Sequence, residues 1–362
     1  MRLGVQAALV DGTFVAGDVE IADGTVERVG VSGSGTGLAV PGFVDLQVNG
    51  FGGVDLAGAD AAGYAAAGAA LLETGTTAYQ PTFTSAPEAD MVAAVAAMPT
   101  GVAGPRIIGA HLEGPFLSLE KPGVHDPAFF RAPDLKLLDR LIGAGAVNQM
   151  TLAPELPGAL ELIDALVARG VVVSAGHTNA TAAEAHEAFD RGVTTVTHLF
   201  NAMRRSAPRD AGIGFAALAR PDVWVQLIVD GHHLAPDSVR VAWAAAAGRF
   251  ALVTDAVAAA ASGDGTFHLG RQPVQAADGV VRGPDGQLAG SALTMIAAVR
   301  NLHALGVPLE LALAAASAVP ARVARRPELG SIEPGSPADI VVLDDRLEIQ
   351  RVLVGGGSRV AA

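Results

Sequence analysis

The chain contains no cysteine. Disulfides and thiolate metal sites are therefore excluded, and any bound metal must take His, Asp or Glu. The opening, MRLGVQAALVDG, has no basic start followed by an apolar stretch and a cleavage site. No apolar run reaches the roughly 20 residues that a membrane span requires. These absences lead us to expect a cytoplasmic chain with no membrane partner. Positive charge is also scarce, since 24 Lys and Arg face 37 Asp and Glu for a formal net charge of -13, with a pI near 5.0. A nucleic-acid groove or an anionic membrane surface needs clustered Lys and Arg, so neither is expected. An anionic substrate would have to be held by a few local cations. Nor does a Gly-rich phosphate loop follow an early strand, as a doubly wound open sheet would usually require.

The chain does have length and apolar content. With 362 residues, 50% hydrophobic and 17% charged, it can bury a sizeable core, and barrels of roughly 250 residues often form one domain. Residues 3–40 alternate in short apolar runs broken at Asp11-Gly12 and Asp23-Gly24, which are hairpin signals. Residues 338–344 and 352–354 are strand-like too, so both ends are expected to meet in a small β domain of residues 1–41 and 331–362. Between them, eight strand-like runs alternate with Ala-rich segments of helical length, near 43–48, 77–83, 107–113, 149–153, 171–176, 194–199, 223–230 and 250–255. That βα rhythm predicts an α/β fold, a (β/α)8 barrel over residues 42–330. A β-hairpin insertion near 266–290 is marked by Asp278-Gly279 and Asp285-Gly286.

Polar residues gather at the carboxyl ends of these runs: Gln47 and Asn49, Glu113, His177, His198, Asp230 with His232 and His233, and Asp255. Barrel enzymes build their active sites on that face. Glu113, His177 and His198 are separated by 64 and 21 residues, and one carboxylate with two imidazoles suits a catalytic zinc. Such a site leaves a position open for water, whose pKa falls from about 15.7 towards about 7. Each residue alone could instead be a strand-end polar group bonded to a neighbouring loop; three converging argue for the metal. Asp255 is our general base and acid, a role typically worth about 10²–10⁴-fold. Its rival role is the N-cap of a following helix.

The stretches PGFVDLQVNGFGG, HLEGPF, KPGVHDP, LAPE, VSAGHTNAT, THLFNAM, VDGHH, LVTDA, AGSALTM and GSPADIVVLD follow one another along nearly the whole chain. In that order they resemble the N-acetylglucosamine-6-phosphate deacetylase family of the amidohydrolase superfamily. The resemblance implies a distorted (β/α)8 TIM barrel with a small β-sandwich domain formed by the N- and C-terminal segments. It implies Glu113, His177 and His198 as metal ligands and Asp255 as the acid-base aspartate, the four that residue type also selects. The implied reaction is hydrolysis of the acetamide of N-acetyl-D-glucosamine 6-phosphate to D-glucosamine 6-phosphate and acetate, in amino-sugar catabolism and cell-wall sugar recycling. The implied cofactor is one divalent ion per subunit, zinc first, with iron, cobalt or manganese as alternatives. The galactosamine epimer, or an N-acyl amino acid, is the alternative substrate. A non-catalytic scaffold would have no reason to keep all four residues.

The resemblance also implies substrate contacts. His125 would lie near the sugar and acetyl carbonyl, and His233 at the sugar phosphate, with His232 in a variable position. Asn201 and the backbone of Ala202 match phosphate contacts. Arg209 matches an Arg-x-x-Gly at a subunit contact, where the guanidinium reaches the neighbouring active site, so a homodimer is implied. The family reads Arg-Glu-Pro-Gly there and this chain Arg-Asp-Ala-Gly; Arg204 and Arg205 could serve instead, or be solvated. Met295 would be an apolar wall of the sugar pocket, or core. His111 shares a strand face with Glu113 and would support it or simply pack. His186 and His268 read as solvated and His303 as structural. Finally, strand one ends in Gln-x-Asn, where family members with two metals have His-x-His. Amides are weaker ligands than imidazoles, so a single metal is expected.

Overall fold

In the computed structural model, which describes residues 1–33, 35–101 and 104–361, eight parallel strands alternate with helices. They are Phe43–Val48, Thr76–Thr84, Ala110–Glu113, Val147–Leu152, Val172–Ala175, Val193–Val196, Trp224–Leu227 and Phe250–Leu252, here barrel strands one to eight. Each is hydrogen-bonded in parallel to the next, from strand one on strand two through to strand seven on strand eight. Helices cover the outside, so the strands are buried on both faces and read as nearly continuous apolar or small-residue runs. Strand three is interrupted: Arg106–Ile107 and Ala110–Glu113 both pair with strand two, on either side of Gly109 at φ 132°.

Local chemistry sets the helices. Thr181 and Glu184 form a reciprocal capping box at the start of Ala182–Arg191, and Gly192, at φ 115°, ends that helix in a left-handed turn. In Leu135–Gly143 the Asp134 carboxylate caps the first turn, and Leu137, Leu138 and Leu141 lie buried on one stripe.

Both chain ends contribute to one six-stranded sheet, in the order Thr13–Ala16, Ala7–Val10, Leu38–Pro41, Ile340–Leu343, Ile349–Val354 and Gly357–Ala361. At its centre Leu38–Pro41 runs antiparallel to Ile340–Leu343. The hairpin Asp18–Ala22 with Thr25–Val31 packs over it, sharing a core of Val5, Val19, Ile21, Ala39 and Ile340. Its turn is Asp23-Gly24, at φ 48° and 77°, and Asp11-Gly12 turns at 45° and 73°. Two successive positive φ values make the tight turn that these dipeptides favour. Arg106 joins this sheet to the barrel by a bidentate pair with buried Asp339, at 2.5 and 3.0 Å. The insertion after strand eight is a three-stranded antiparallel sheet, Gly265–Leu269, Gln272–Ala277 and Val280–Arg282. Among the described residues no helix is long and apolar enough to cross a membrane.

The barrel is nearly closed, and its seam lies between strands eight and one. There a single bridge, Val48 to Ala256, replaces a ladder among the described residues. The Asp45 carboxylate spans the gap, accepting from the Thr254 hydroxyl at 2.5 Å, the Thr254 N–H at 3.2 Å and the Gln47 N–H at 3.3 Å. Asp45 is fully buried, and burial pushes it up to about 6 although those three bonds pull the other way.

Removing the carboxylate by Asp45→Ala would leave buried donors without a partner, and should lower unfolding free energy by about 3 kcal/mol. Chemical denaturation measures this, and a loss below about 1 kcal/mol would show that the seam holds without Asp45. The folded-state value of Asp45 lies above its usual one near 3.8, reaching about 6. Its contribution is thus complete below the lower value and is lost as pH rises through the higher. The stability of the parent relative to Asp45→Asn should therefore fall over that interval; a flat difference would contradict the shift.

Candidate active site

Four side chains meet where strands three, five, six and eight end. Glu113 is the last residue of strand three, while His177, His198 and Asp255 lie two, two and three residues past strands five, six and eight. The chain leaves those three strands in the left-handed region, at φ 47° for His177, 33° for His198 and 50° for Asp255. A non-glycine residue there is strained by about 1–2 kcal/mol. Phe200 at 74° and Ala202 at 49° continue the pattern past His198. No helix follows Asp255, where residues 257–262 form a turn, so the N-cap role is not realised.

Glu113 Oε1 lies 3.2 Å from His177 Nε2 and 3.0 Å from His198 Nε2, and the two nitrogens are 3.1 Å apart. Ligand bonds of about 2.0–2.1 Å in a tetrahedral zinc site place neighbouring donors about 3.3 Å apart. The triangle therefore fits one such ion. Its proton placement fits too: His177 Nδ1 lies 3.1 Å from the Lys121 carbonyl, which can only accept, so in the neutral ring Nε2 presents a lone pair. His125 closes a second grouping with Glu113 and His177, with ligand atoms within 4.8 Å of one another. Its chemistry is different. His125 Nδ1 accepts the Ser85 N–H at 3.3 Å, leaving the neutral ring's proton on Nε2, which faces Glu113 Oε2 at 3.7 Å. His125 is thus a donor beside the triangle, and Glu113, His177 and His198 are the set whose lone pairs could hold a divalent ion.

The two amides of strand one serve the two carboxylates. Gln47 Nε2 donates to Glu113 Oε1 at 3.0 Å, and Asn49 Nδ2 donates to Asp255 Oδ1 at 2.8 Å. Burial would raise Glu113, but the His125, His177 and His198 rings around it hold it well below the usual carboxylate range. Asp255 moves the opposite way: burial, and then the charge of Glu113, push it up to about 8 against the pull of His198 and Asn49. Two nearby carboxyls pushed apart in this manner can divide the roles of ligand and proton carrier. His111 is buried behind Glu113. Thr82 donates to the Gln80 carbonyl, so it accepts from His111 Nδ1 at 3.2 Å, and His111 Nε2 then takes the Thr151 hydroxyl at 2.7 Å. Burial lowers His111 to about 4, consistent with that neutral ring.

The cavity over this cluster has a volume of about 140 Å³, and Asn201, Ala202 and His233 line it together with the groups above. It shares Thr84, Val124, His125 and Leu269 with a larger neighbouring cavity of about 670 Å³. Asn201 Nδ2 donates to the His198 carbonyl at 3.2 Å. His233 is half-buried and His232 exposed. Burial would raise Asp230, but the His233 side chain and the backbone N–H groups of His232 and His233 hold it at about 2. Arg209 and Arg205 are exposed and outside the cavity. Arg204 is engaged by Asp210 through Nε and Nη2, at 2.6 to 3.0 Å, which removes it as a free phosphate ligand. Met295 is fully buried in the main core and does not line the cavity. His303 Nδ1 faces the Val307 carbonyl at 2.8 Å, His186 packs edge-on to Phe189, and His268 is exposed.

Some supporting groups escape residue-type reasoning. The Lys121 carbonyl is one, because no side chain announces it. Gly123 is another: at φ 60°, a Cβ on it would stand 2.9 Å from His177 Cε1. Glu155, in LAPE, accepts from Thr178 Oγ1 at 2.5 Å and Asn179 N at 2.6 Å, pinning the segment just after His177. A carboxylate one strand away was the available signal.

The sequence model of the amidohydrolase family matches residues 38–358. N-acetylgalactosamine-6-phosphate deacetylase of Escherichia coli O157:H7 is 36% identical, over 93% of this chain and 93% of its own. Human N-acetylglucosamine-6-phosphate deacetylase is 37% identical, over 88% of this chain and 82% of its own. Among solved structures, N-acetyl-D-glucosamine-6-phosphate deacetylase from Mycobacterium smegmatis superposes with a TM-score of 0.94 at 36% identity, covering 99% of this chain and 100% of that one.

If the triangle holds the ion, Gly123→Ala should weaken divalent-metal affinity by about 10–100-fold, since the new methyl displaces the His177 ring. Chelator competition followed by metal analysis reads this directly, and an unchanged affinity would remove His177 from the ligand set.

Proposed function

The chain belongs to the amidohydrolase family, and from that membership and the geometry of the mouth we propose that it hydrolyses the acetamide of N-acetyl-D-glucosamine 6-phosphate. The products are D-glucosamine 6-phosphate and acetate, within amino-sugar catabolism and cell-wall sugar recycling. The observation that carries this reading is one carboxylate oxygen and two imidazole nitrogens within 3.2 Å of one another, beside a separately held carboxyl, Asp255.

A divalent ion held by Glu113, His177 and His198 would supply Lewis acidity, acidifying water and polarising the acetyl carbonyl. The donor set favours zinc, with iron, cobalt or manganese as alternatives; Gln47 and Asn49 are engaged as donors, which supports one ion per subunit. Asp255 takes the proton of the attacking water and returns it to the departing amine nitrogen. Asn49 holds the Asp255 carboxyl in place through Oδ1. His125 directs its Nε2 proton towards the acetyl oxygen, where negative charge develops. Asn201, the Ala202 backbone and His233 form the phosphate end; Met295 lies in the core and not on the cavity wall. Exposed Arg209 fits a contact that reaches the neighbouring active site of a homodimer. A cysteine-free acidic chain fits the cytoplasm. The galactosamine epimer is the second reading, because a relative of comparable identity carries that name.

Acetate release from both phosphosugars and from the unphosphorylated sugar tests the proposal, with metal analysis on the same sample. We expect turnover of a phosphosugar, loss of it on chelation, and about one ion per subunit; no release from either phosphosugar overturns the reading. Asp255→Asn should retain the ion and lose about 10²–10⁴-fold in kcat. Full activity in that variant would take Asp255 out of the proton path. Because Asp255 works as a base only when ionised, the parent rate should fall on the acid side.

A further inference from the structure

We propose that Asp230 is a specificity-determining positioning residue, which commits His233 to the imidazolium form so that the pair reads the anionic ester of the substrate. The inference rests on the phosphosugar reading above and extends it. A phosphate monoester accepts hydrogen bonds and carries negative charge, yet Lys and Arg are absent from the cavity lining among the described residues. Glu113, held ionised, adds charge of the wrong sign. Any cation supplied by this subunit's own lining must then be a histidine, of which there are four: His125, His177, His198 and His233. Three of them face Glu113, at 3.7, 3.2 and 3.0 Å. His233 remains.

Its partner decides what it can do. Asp230 accepts the backbone N–H groups of His232 and His233 at 2.8 and 2.9 Å through Oδ1, and its Oδ2 lies 2.7 Å from His233 Nδ1. The side chains of His233 and Asp230 are only 6% and 8% exposed. An ionised carboxylate has no proton to give, so Nδ1 must donate. A neutral His233 would then offer a bare lone pair at Nε2, which repels a phosphate oxygen. Only the imidazolium donates from both nitrogens, and the buried carboxylate supplies the charge that stabilises it. The three bonds to Asp230 also fix the ring at the carboxyl end of strand seven. His232, one residue earlier, is exposed and its side chain has no such partner among the described residues.

The isosteric Asp230→Asn separates charge from placement, because the amide oxygen can still accept from Nδ1 of a neutral ring. In the metal-loaded enzyme, the ratio of kcat/KM for the phosphorylated sugar to that for the unphosphorylated sugar should fall by about 10–100-fold. The inhibition constant of inorganic phosphate should rise by a similar factor. His233→Gln should reproduce both effects, which keeps the test decisive if one variant folds poorly by thermal denaturation. A ratio and an inhibition constant unchanged in both variants, or a loss shared equally by the two sugars, would overturn the proposal. A parent enzyme inactive on every phosphosugar would instead overturn the functional reading on which it rests.

Discussion

The carboxylate of Asp45 stands in for a missing row of backbone hydrogen bonds. Among the described residues strands eight and one meet through one bridge, with the Asn49 and Gly50 N–H groups donating to the Ala256 carbonyl, and Asp45 gathers Thr254 and Gln47 across the gap. Everything the site needs from these strands lies within two residues of that junction. Gln47 and Asn49 follow Asp45 on one strand, and Asp255 follows Thr254 on the other. The Thr254 hydroxyl also accepts the Ala256 N–H at 3.1 Å, and its carbonyl receives Ser291 Oγ at 2.6 Å. Asp255 and the Asn49 amide that holds it therefore both adjoin one buried anchor.

Electrostatics divide the work inside the mouth. Glu113 and Asp255 carry the same sign and are both buried. Three imidazoles surround the first, while the second has a single amide donor, so one is held low and the other high. The amides that end strand one give each carboxylate one neutral donor, Gln47 to Glu113 and Asn49 to Asp255.

Much of this architecture was readable from the chain. The eight apolar runs fall on the eight strands because a parallel sheet covered on both faces needs continuous apolar sequence, and Asp-Gly pairs marked the terminal hairpins because few other dipeptides accept two positive φ values. Polar residues ending those runs pointed to one face, and the structure brings Glu113, His177, His198 and Asp255 together there. Other features leave no trace in residue type. A main-chain carbonyl at Lys121 orients His177, and any residue could supply it. The tautomer of His125 depends on the Ser85 N–H, 40 residues away in sequence. Arg204 reads as available charge until the fold sets Asp210 against it. The seam could not be foreseen either, because strands eight and one show the same patterning as strands that do form ladders.

The central pair of the terminal sheet gives synthesis a direction. Barrel strand one begins two residues after Leu38–Pro41, whose antiparallel neighbour, Ile340–Leu343, is translated some three hundred residues later. A growing chain can thus complete all eight barrel strands while the apolar face around Val5, Ile21 and Ala39 still waits for Ile340 and Leu353. A segment made before the barrel is thus covered only after it. A chain cut short in the final helices would therefore present an open strand edge next to uncovered apolar surface.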